Sequence, residues 1–277
     1  MTSTVLDRQN AEFWNEICGS ERARYLGISD VTPENLRRFD EEYLRFYPYL
    51  EKYVFPEDLK GKRVLEIGLG YGTLGQLLAL QGCRYYGLDI AMNPVVLMRY
   101  RFSLMSVAGG HRVQVGSALE IPYRDGAFDY VYSIGCLHHT GDLRRAVGEV
   151  YRVLADGGKA VIMLYNRHSF RRMVFLPAVH LRNLLLGRYK SQDGRTSFSD
   201  WARTWYDKNA QGEAAPHTDY VSRAQVRRLF RKYRDVRIES QNFDPVVLKD
   251  RLLVRRERFL NNLARVAGVD LYITATK

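Results

Sequence analysis

Short apolar runs alternate with helical patterns between residues 62 and 165 of this chain. A buried strand appears as an apolar run bounded by turn residues, whereas an amphipathic helix repeats its apolar positions every three or four residues. The pattern predicts five strands, over 63–68, 84–90, 113–115, 128–133 and 159–165. Between them it predicts helices over 73–81, 94–107 and 143–154, the last closed by the turn residues Asp156, Gly157 and Gly158. Such alternation indicates an α/β core over residues 61–165, in which helices cover both faces of a parallel sheet.

Residues 1–60 are predicted to form a helical N-terminal cap on this core. Apolar residues recur at helical spacing over 34–54, and Thr32 is a candidate N-cap residue just before them. Pro48 is expected to kink or split this helix, because proline removes a backbone donor and clashes with the preceding turn.

The regular alternation ends after residue 165. Residues 166–219 are predicted to form an insertion or lid that covers the sheet edge. Residues 220–277 are predicted to complete the sheet, with a helix over 222–233 and strands over 235–240 and 269–274.

The composition is typical of a globular protein, with 46% hydrophobic and 26% charged residues. These values exclude a collagen-like, coiled-coil or largely disordered chain. No apolar run reaches the roughly 18 residues that a membrane-spanning helix needs. Residues 1–20 carry scattered charges and do not have the pattern of a secretory signal. Three dispersed cysteines indicate neither a disulfide framework nor a zinc site, so we expect a cytoplasmic protein without a bound metal.

The positive charge is concentrated in the C-terminal part of the chain. Residues 1–160 have a net charge of −1, whereas residues 161–277 carry 23 basic against 11 acidic residues, a net of +12. This asymmetry suggests an anionic partner, such as a phosphorylated or carboxylated substrate, a nucleic acid or an anionic membrane. The alternative is a basic surface that faces solvent and binds no anionic partner.

A glycine-rich turn follows the first predicted strand, at Gly68, Gly70 and Gly72. Glycines permit a sharp turn and let a ligand approach the backbone closely, although tight turns also use them without a ligand. Asp89 ends the second strand, where a carboxylate can accept both hydroxyls of a ribose. Together these residues predict a nucleoside-cofactor site at the carboxyl edge of the sheet.

The spacing of the turn narrows the choice of cofactor. A nicotinamide site has glycines in the pattern G-x-G-x-x-G, which this turn does not match. Glu66 precedes the glycines and suits a cationic ligand better than a pyrophosphate. At this point the chain resembles the class I S-adenosylmethionine (SAM)-dependent methyltransferases, in the ubiquinone/menaquinone-biosynthesis-like branch. The segments that carry the resemblance, in order, are Glu66–Gly72, Gly116–Pro122, Asp125–Val131, Leu137–Thr140 and Glu149–Gly158.

The resemblance implies a Rossmann-like, mostly parallel seven-stranded sheet closed by one antiparallel strand, for which 269–274 is the candidate. It also implies that Asp89 holds the ribose hydroxyls of SAM and that Ile90 packs on the adenine. Ser117 stands where the family commonly has Asp, so the adenine amino group would depend on Ser117 or on the backbone of its neighbours. The cofactor-binding residues expected from this resemblance are Glu66, Gly68, Leu69, Gly70, Tyr71, Gly72, Asp89, Ile90, Ser117, Ala118, Leu119, Ser133 and Gly135.

Methyl transfer from a sulfonium requires a nucleophile placed behind the methyl group, and a hydroxyl nucleophile must also lose a proton. His138 and His139 follow the fourth strand and are the candidates for the base, since histidine titrates in the right range. The alternative is a structural role in which the pair orients its loop. Weaker candidates around the substrate are His168, His180, His217, Trp201, Trp205, Tyr206, Arg24, Tyr25 and Tyr47.

We expect the acceptor to be a small molecule, possibly anionic, methylated on oxygen in a metabolite, natural product or sugar. A nucleic-acid (tRNA) methyltransferase is an alternative that the basic C-terminal part would serve. It is disfavoured because 133–136 does not match the D/N-P-P-Y/F motif of amino-methylating DNA enzymes. A lipid or quinone acceptor is another alternative, since the apolar stretch 173–186 lies between arginines and could contact a membrane transiently. A SAM-binding protein without catalysis is the remaining class, and the sequence leaves the oligomeric state open.

Overall fold

The computed structural model describes residues 3–17, 20–105, 111–187, 198–248 and 251–277. The strands within these residues are β1 Arg63–Ile67, β2 Arg84–Asp89, β3 Arg112–Val115, β4 Phe128–Ile134, β5 Leu154–Asn166, β6 Tyr220–Val221, β7 Arg234–Gln241, β8 Val246–Leu248, β9 Arg251–Val254 and β10 Asp270–Thr276. The helices are α1 Ser3–Ile17, α2 Ser20–Tyr25, α3 Pro33–Phe46, α4 Glu51–Val54, α5 Thr73–Leu80, α6 Met92–Ser103, α7 Leu143–Val153, α8 Leu176–Leu185, α9 Phe198–Arg203, α10 Arg223–Leu229, α11 Glu257–Leu260 and α12 Leu263–Ala267. A 3₁₀ turn spans Leu137–His139, and a π-helical turn spans Arg171–Phe175.

The main sheet has the strand order β3-β2-β1-β4-β5-β10-β7, with β6 paired to the end of β5. Strands β1 to β5 run parallel to one another. Strand β10 lies between β5 and β7 and runs antiparallel to both. The predicted mostly parallel sheet, with one antiparallel closing strand, is therefore confirmed. The two-residue strand β6 makes the sheet eight-stranded rather than seven-stranded. This order brings the carboxyl ends of β1, β2 and β4 side by side.

Apolar side chains pack on both faces of the sheet because alternate residues of each strand point to opposite sides. On one face Val131 of β4 packs in a cluster with Val150 of α7 and Phe230 after α10. On the other face Tyr132 of β4 packs in a cluster with Leu78 of α5. Burial of this apolar surface from water stabilises the three-layer arrangement.

The helix boundaries follow local chemistry. The hydroxyl of Thr32 accepts a hydrogen bond from the Asn35 amide and caps α3, as predicted. Between α3 and α4 the helix is interrupted around Pro48, which confirms the predicted break.

The predicted end of α7 is wrong at its last residues. The helix stops at Val153, and β5 begins directly at Leu154 rather than after the glycine pair. Gly157 and Gly158 exchange backbone hydrogen bonds with Lys277, so the chain terminus extends the sheet across these residues. The positive φ of Gly157, 77°, permits the local bend.

The helices before β1 form a cap against the core. Helix α1 contacts α6, where the Asn93 amide and side chain both donate hydrogen bonds to Asn15. Helix α4 packs on the sheet through buried Tyr53 and Val54. Across the described ranges, every helix is too short or too polar to cross a membrane.

Candidate cofactor and acceptor site

The turn between β1 and α5 has a backbone that only glycine adopts readily. The φ angles of Gly68, Gly70 and Gly72 are 83°, 51° and 80°, all in the left-handed region. A Cβ on Gly68 would lie 2.4 Å from Cβ of Cys136, so no side chain fits there. A Cβ on Gly70 would meet no atom within 4 Å, so the turn is open on that side. The turn therefore leaves room for a ligand to approach its backbone.

A buried arginine supports this turn from behind. Arg101 of α6 is fully buried, and its Nε donates a hydrogen bond of 2.7 Å to the carbonyl of Tyr71. Its two terminal nitrogens donate to the carboxylate of Asp40 in α3, each at 2.8 Å. The hydroxyl of Thr73 donates to the same carboxylate. The sequence analysis did not single out Arg101, because a lone arginine in a helix gives no signal of burial.

Asp89 ends β2 with its carboxylate beside the turn. One oxygen accepts a hydrogen bond of 2.7 Å from the Leu69 amide, and the other accepts one of 2.9 Å from the Ala91 amide. Burial raises the pKa of this carboxyl to about 6, although the backbone donors favour the ionised form. The Gly70 and Ile90 amides also lower its pKa by hydrogen bonding, so four backbone donors orient this carboxylate beside the turn.

Glu66 lies in β1, and its side chain reaches toward α5. Its carboxylate accepts a hydrogen bond from the Tyr85 hydroxyl, and one carboxylate oxygen would lie 2.6 Å from a Cβ on Gly75. Burial raises the pKa of Glu66 to about 8, an effect opposed by the Tyr85 hydrogen bond. The Glu66 carboxyl is therefore bonded within the protein, on the α5 side of the turn.

The remaining cofactor candidates lie at the ends of the neighbouring strands. Ser117 accepts a hydrogen bond from the Leu119 amide, and Ser133 donates one to the Ile67 carbonyl. Gly116, just before this serine, donates its amide to the Asp89 carbonyl. Two of the candidates at this edge, Ala118 and Leu119, are buried. The half-buried ones are Gly68, Tyr71, Ile90, Ser117 and Gly135. The fold thus brings the candidates after β1, β2, β3 and β4 to one edge.

His138 and His139 lie in the 3₁₀ turn after β4, and both are buried. The Nδ1 of His139 lies 2.7 Å from the His217 carbonyl, which fixes the proton on Nδ1 and leaves Nε2 as an acceptor. Its Nε2 lies 3.5 Å from a carboxylate oxygen of Asp207. Burial lowers the pKa of His139, and Asp207 opposes that shift. Burial lowers the pKa of His138 well below its usual value, so this imidazole is neutral.

Tyr165, near the end of β5, links this pair to the insertion. Its ring lies 4.1 Å from that of His138 and 4.8 Å from that of Tyr206. Its hydroxyl donates a hydrogen bond of 2.9 Å to Asp207. Strand β10 places Asp270 directly opposite Tyr165 in the sheet register. Aromatic rings and carboxylates therefore surround the end of β5.

Asp270 is buried at 1% exposure, and neither of its carboxylate oxygens has a hydrogen-bond partner of normal geometry among the described residues. Burial raises its pKa to about 7, while Arg171 and the Asn242 side chain lower it. Residue type and local sequence gave no signal for Asp207 or Asp270, since both reach this place through long-range packing.

The weaker candidates are dispersed around this region. His217 contributes its carbonyl, while its imidazole lies 3.2 Å from Asp219. Tyr25 is exposed, and Arg24 donates a hydrogen bond to the Lys208 carbonyl. Trp205 is partly exposed and packs on Phe175. Of these candidates, Tyr206 packs its ring against Tyr165, and the backbone of His217 bonds to His139.

The residues at the glycine turn fit SAM. A Cβ on Gly70 would meet no atom within 4 Å, so the turn leaves space there, and the Asp89 carboxylate lies beside the turn as a hydrogen-bond acceptor. Among the described residues, no group of three His, Cys, Asp or Glu side chains is arranged to hold a metal ion.

Comparisons with known proteins agree with this geometry. Residues 65–162 match the family model described as "Methyltransferase domain". The chain is 33% identical over 131 residues to tocopherol O-methyltransferase of Arabidopsis thaliana, an alignment that covers 46% of this chain and 36% of that protein. It is 34% identical over 106 residues to demethylmenaquinone methyltransferase of Thermus thermophilus, covering 37% and 46%, respectively.

Similarity extends to N-methylating proteins and to solved structures. Over 112 residues the chain is 31% identical to ajmaline N-methyltransferase of Rauvolfia serpentina, covering 39% of this chain and 38% of that protein. The chain thus spans less than half the length of each of these relatives. A SAM-dependent methyltransferase from Methanosarcina mazei shares the fold with a TM-score of 0.53 and 17% identity, over 83% of this chain and 97% of the other. Residues 65–162 therefore match a methyltransferase domain, and the chain shares the fold of the Methanosarcina mazei protein.

Proposed function

We propose that the whole chain is a SAM-dependent methyltransferase whose acceptor is a hydroxyl of a small molecule. The observation that carries the proposal is the pairing of two features at one sheet edge. The first is the open glycine turn with Asp89 beside it. The second is a neutral, buried imidazole with a carboxylate next to it, His139 and Asp207. The relatives named above methylate both oxygen and nitrogen, so the acceptor atom is inferred from this chain's own residues.

When bound, SAM supplies an electrophilic methyl group. Asp89 would accept hydrogen bonds from the ribose hydroxyls, and the backbone of the turn would lie against the methionine and ribose portions. Arg101 would act as a positioning residue, because its hydrogen bond to Tyr71 holds the turn in shape. Ser133 in β4 and Gly135 just after it would line the side of the cofactor that faces the acceptor.

An oxygen acceptor must lose its proton as it attacks, which favours a base close to the site. In His139 the proton resides on Nδ1, so Nε2 is the atom that would accept the proton from the acceptor hydroxyl. The imidazolium formed would be stabilised by Asp207, whose carboxylate lies 3.5 Å from that nitrogen. An amine acceptor would need only to be neutral, so it would not require this pair.

The buried position of the site supports methyl transfer in another way. His138 and His139 are 0% and 3% exposed, and Trp14 of α1 lies over His139 with ring centroids 4.7 Å apart. The N-terminal cap therefore covers the candidate base and excludes water from it. Exclusion of water strengthens the electrostatic interaction between His139 and Asp207.

A transfer assay with SAM labelled in its methyl group tests this function. The purified chain is incubated with matched pairs of acceptors that differ only in bearing a hydroxyl or an amine at the same carbon. The proposal predicts label in hydroxyl acceptors and its loss in the His139→Gln variant. Transfer to amines alone, or transfer that is unchanged in this variant, would contradict the assignment of the acceptor atom and of the base.

A further inference from the structure

The segment formed by residues 171–187 exposes an unusual amount of apolar surface. It comprises the π-helical turn and α8, and within it only Leu176 among the apolar residues is fully buried. Leu185 is 78% exposed, and several others are at least half exposed. The exposed large apolar side chains of the segment are Met173, Val174, Phe175, Leu181, Leu184, Leu185 and Leu186. Contiguous apolar surface of this kind marks an interaction site more often than it remains in water.

Among the exposed apolar residues, Val174, Leu181 and Leu185 share one side of the helical segment. Val174, Leu181 and Leu185 follow one another at intervals of seven and four, and Leu184 falls beside them. Helical residues separated by three, four or seven positions lie on the same face. Leu176, which is buried, lies on the opposite face and attaches the segment to the body of the protein. The apolar face is therefore directed outward.

An ion pair fixes the orientation of the segment. The guanidinium of Arg171 donates two hydrogen bonds to the carboxylate of Asp244, and its Nη1 donates to the Trp205 carbonyl at 3.2 Å. The Arg171 side chain is only 17% exposed. Because the first residue of the segment is held in this way, the apolar face keeps a defined direction relative to the sheet.

The charge of the segment has one sign. Residues 171–187 include Arg171, Arg172 and Arg182 and contain no Asp or Glu. Arg182 is exposed, beside the apolar face. The surrounding region, 161–277, has a net charge of +12. An apolar helix face with flanking arginines is complementary to a surface that offers acyl chains and negative headgroups.

We propose that the 171–187 segment docks on an anionic lipid bilayer, lying in the interface with its apolar face toward the acyl chains. A second copy of the chain fits less well. A two-fold dimer would bring the same patch against itself, and the exposed Arg182 of each copy would then lie in a region of like charge. Lipid phosphates instead neutralise Arg182 while the leucines leave water. This inference goes beyond the proposed methyl transfer and does not depend on it.

Flotation with lipid vesicles tests the docking. The full chain is mixed with vesicles of phosphatidylcholine containing phosphatidylglycerol and, separately, with vesicles of phosphatidylcholine alone. We expect flotation with the anionic vesicles, weakened by added salt because salt screens surface charges. In the double variant Leu184→Glu/Leu185→Glu we expect the partition coefficient to fall by at least about tenfold, since each change removes apolar surface and adds a charge repelled by the lipid.

Matched controls come from exposed apolar residues on other elements. Leu80 at the end of α5 is 55% exposed, and Val266 in α12 is 77% exposed. The variants Leu80→Glu and Val266→Glu make the same kind of change away from the segment, and we expect them to float like the parent. Failure of the parent to float with anionic vesicles, or an equal loss in these controls, would overturn the proposal.

A position-specific readout complements the flotation. In Leu184→Trp, the emission that the new indole adds to the parent spectrum should shift to shorter wavelength when anionic vesicles are added. Light scattering without lipid gives the mass in solution. A dimer that forms without lipid, and that the Leu184→Glu/Leu185→Glu change converts to monomer, would assign the face to a second copy and overturn the lipid proposal. An indole emission wavelength in Leu184→Trp that does not change when anionic vesicles are added would also overturn it.

Discussion

The carboxylate of Asp40 and the guanidinium of Arg101 form a doubly hydrogen-bonded ion pair beneath the glycine turn. The Arg101 side chain is fully buried and that of Asp40 is 15% exposed. This pair joins α3 of the N-terminal cap to α6 of the core. Arg101 also donates a hydrogen bond to the Tyr71 carbonyl of the turn. The cap and the cofactor site are thus connected by charge as well as by packing.

The Asp40→Asn variant should therefore be strongly destabilised. Removal of one partner leaves the buried guanidinium without its counterion, which costs about 3–5 kcal/mol. Urea unfolding monitored by circular dichroism measures the change. The exposed pair Arg37–Glu41 provides a control, since both side chains are 73% exposed and Glu41→Gln should cost less than about 1 kcal/mol. Similar losses of unfolding free energy in Asp40→Asn and Glu41→Gln would contradict a stabilising role for the buried Asp40–Arg101 pair.

Substitutions of glycine should separate steric from conformational effects. Gly68→Ala would place a methyl group 2.4 Å from Cβ of Cys136 and would force a left-handed φ on alanine, so it should lower stability by more than about 2 kcal/mol and abolish SAM binding.

Gly148 in α7 serves as the control for that change. It is exposed, and a Cβ there would meet no atom within 4 Å. Gly148→Ala should raise stability by up to about 1 kcal/mol, because alanine is the better helix former. Thermal unfolding with and without SAM checks both variants, and a mild Gly68→Ala effect would count against a close approach at Cys136.

Stability should depend on pH through Asp270. Burial raises the pKa of this carboxyl from 3.8 to about 7, so the native state binds more protons than the unfolded state between these values. Its contribution to the free energy of unfolding therefore falls as pH rises from about 4 to 7. Asp270→Asn removes the charge and should stabilise the protein by about 2 kcal/mol or more at pH 8, with a smaller difference at pH 5.

Asp244 offers a matched contrast to Asp270, because its carboxylate is paired with Arg171. Asp244→Asn should destabilise the protein at both pH values. Thermal melts of the parent and the two variants at pH 5 and pH 8 provide the comparison. A gain that is equal at both pH values would show that Asp270 is not an ionised, unpartnered carboxylate above pH 7.

The His139–Asp207 pair should determine the rate rather than the binding of SAM. Loss of a positioned base typically lowers kcat by about a hundredfold or more, so His139→Gln should lose at least that factor. Asp207→Asn should shift the acidic limb of the kcat profile to lower pH, because the carboxylate raises the pKa of the imidazole. His138→Gln, at the neutral neighbour, should keep the pH profile of the parent. A profile that is the same in all variants would exclude the pair from proton transfer.

The local pattern of the sequence predicted the seven strands of the main sheet order, but not the short strands β6, β8 and β9, and it predicted the sheet edge at which the candidate residues lie. Asp89 was found because it ends a strand, and the antiparallel closing strand was predicted from an apolar run and a resemblance. Arg101 could not be found in this way, since neighbouring Arg99 has the same residue type in the same helix yet is more exposed. Its burial depends on Asp40, which lies 61 positions earlier in the chain.

Long-range packing also explains Glu66 and the acceptor side. The sequence analysis predicted Glu66 beside a cationic ligand, which stays a prediction, and it did not find Tyr85, whose hydroxyl donates a hydrogen bond to this carboxylate. The sequence of β1 alone does not determine the partner of Glu66, because Tyr85 lies in the neighbouring strand β2. Asp207 and Asp270 reach the end of β5 from the insertion and from the last strand, so no local motif contains them.

Calorimetric titration of the purified chain with SAM and with its demethylated product tests the central claim most directly. The account predicts saturable heat with one site for both compounds, and a loss of affinity of at least about tenfold in Asp89→Ala, which removes the acceptor for the ribose hydroxyls. Asp125→Ala, an exposed carboxylate away from the turn, should bind like the parent. Absence of binding in the parent, or equal affinity in Asp89→Ala, would contradict the assignment of the glycine turn and Asp89 as the cofactor site.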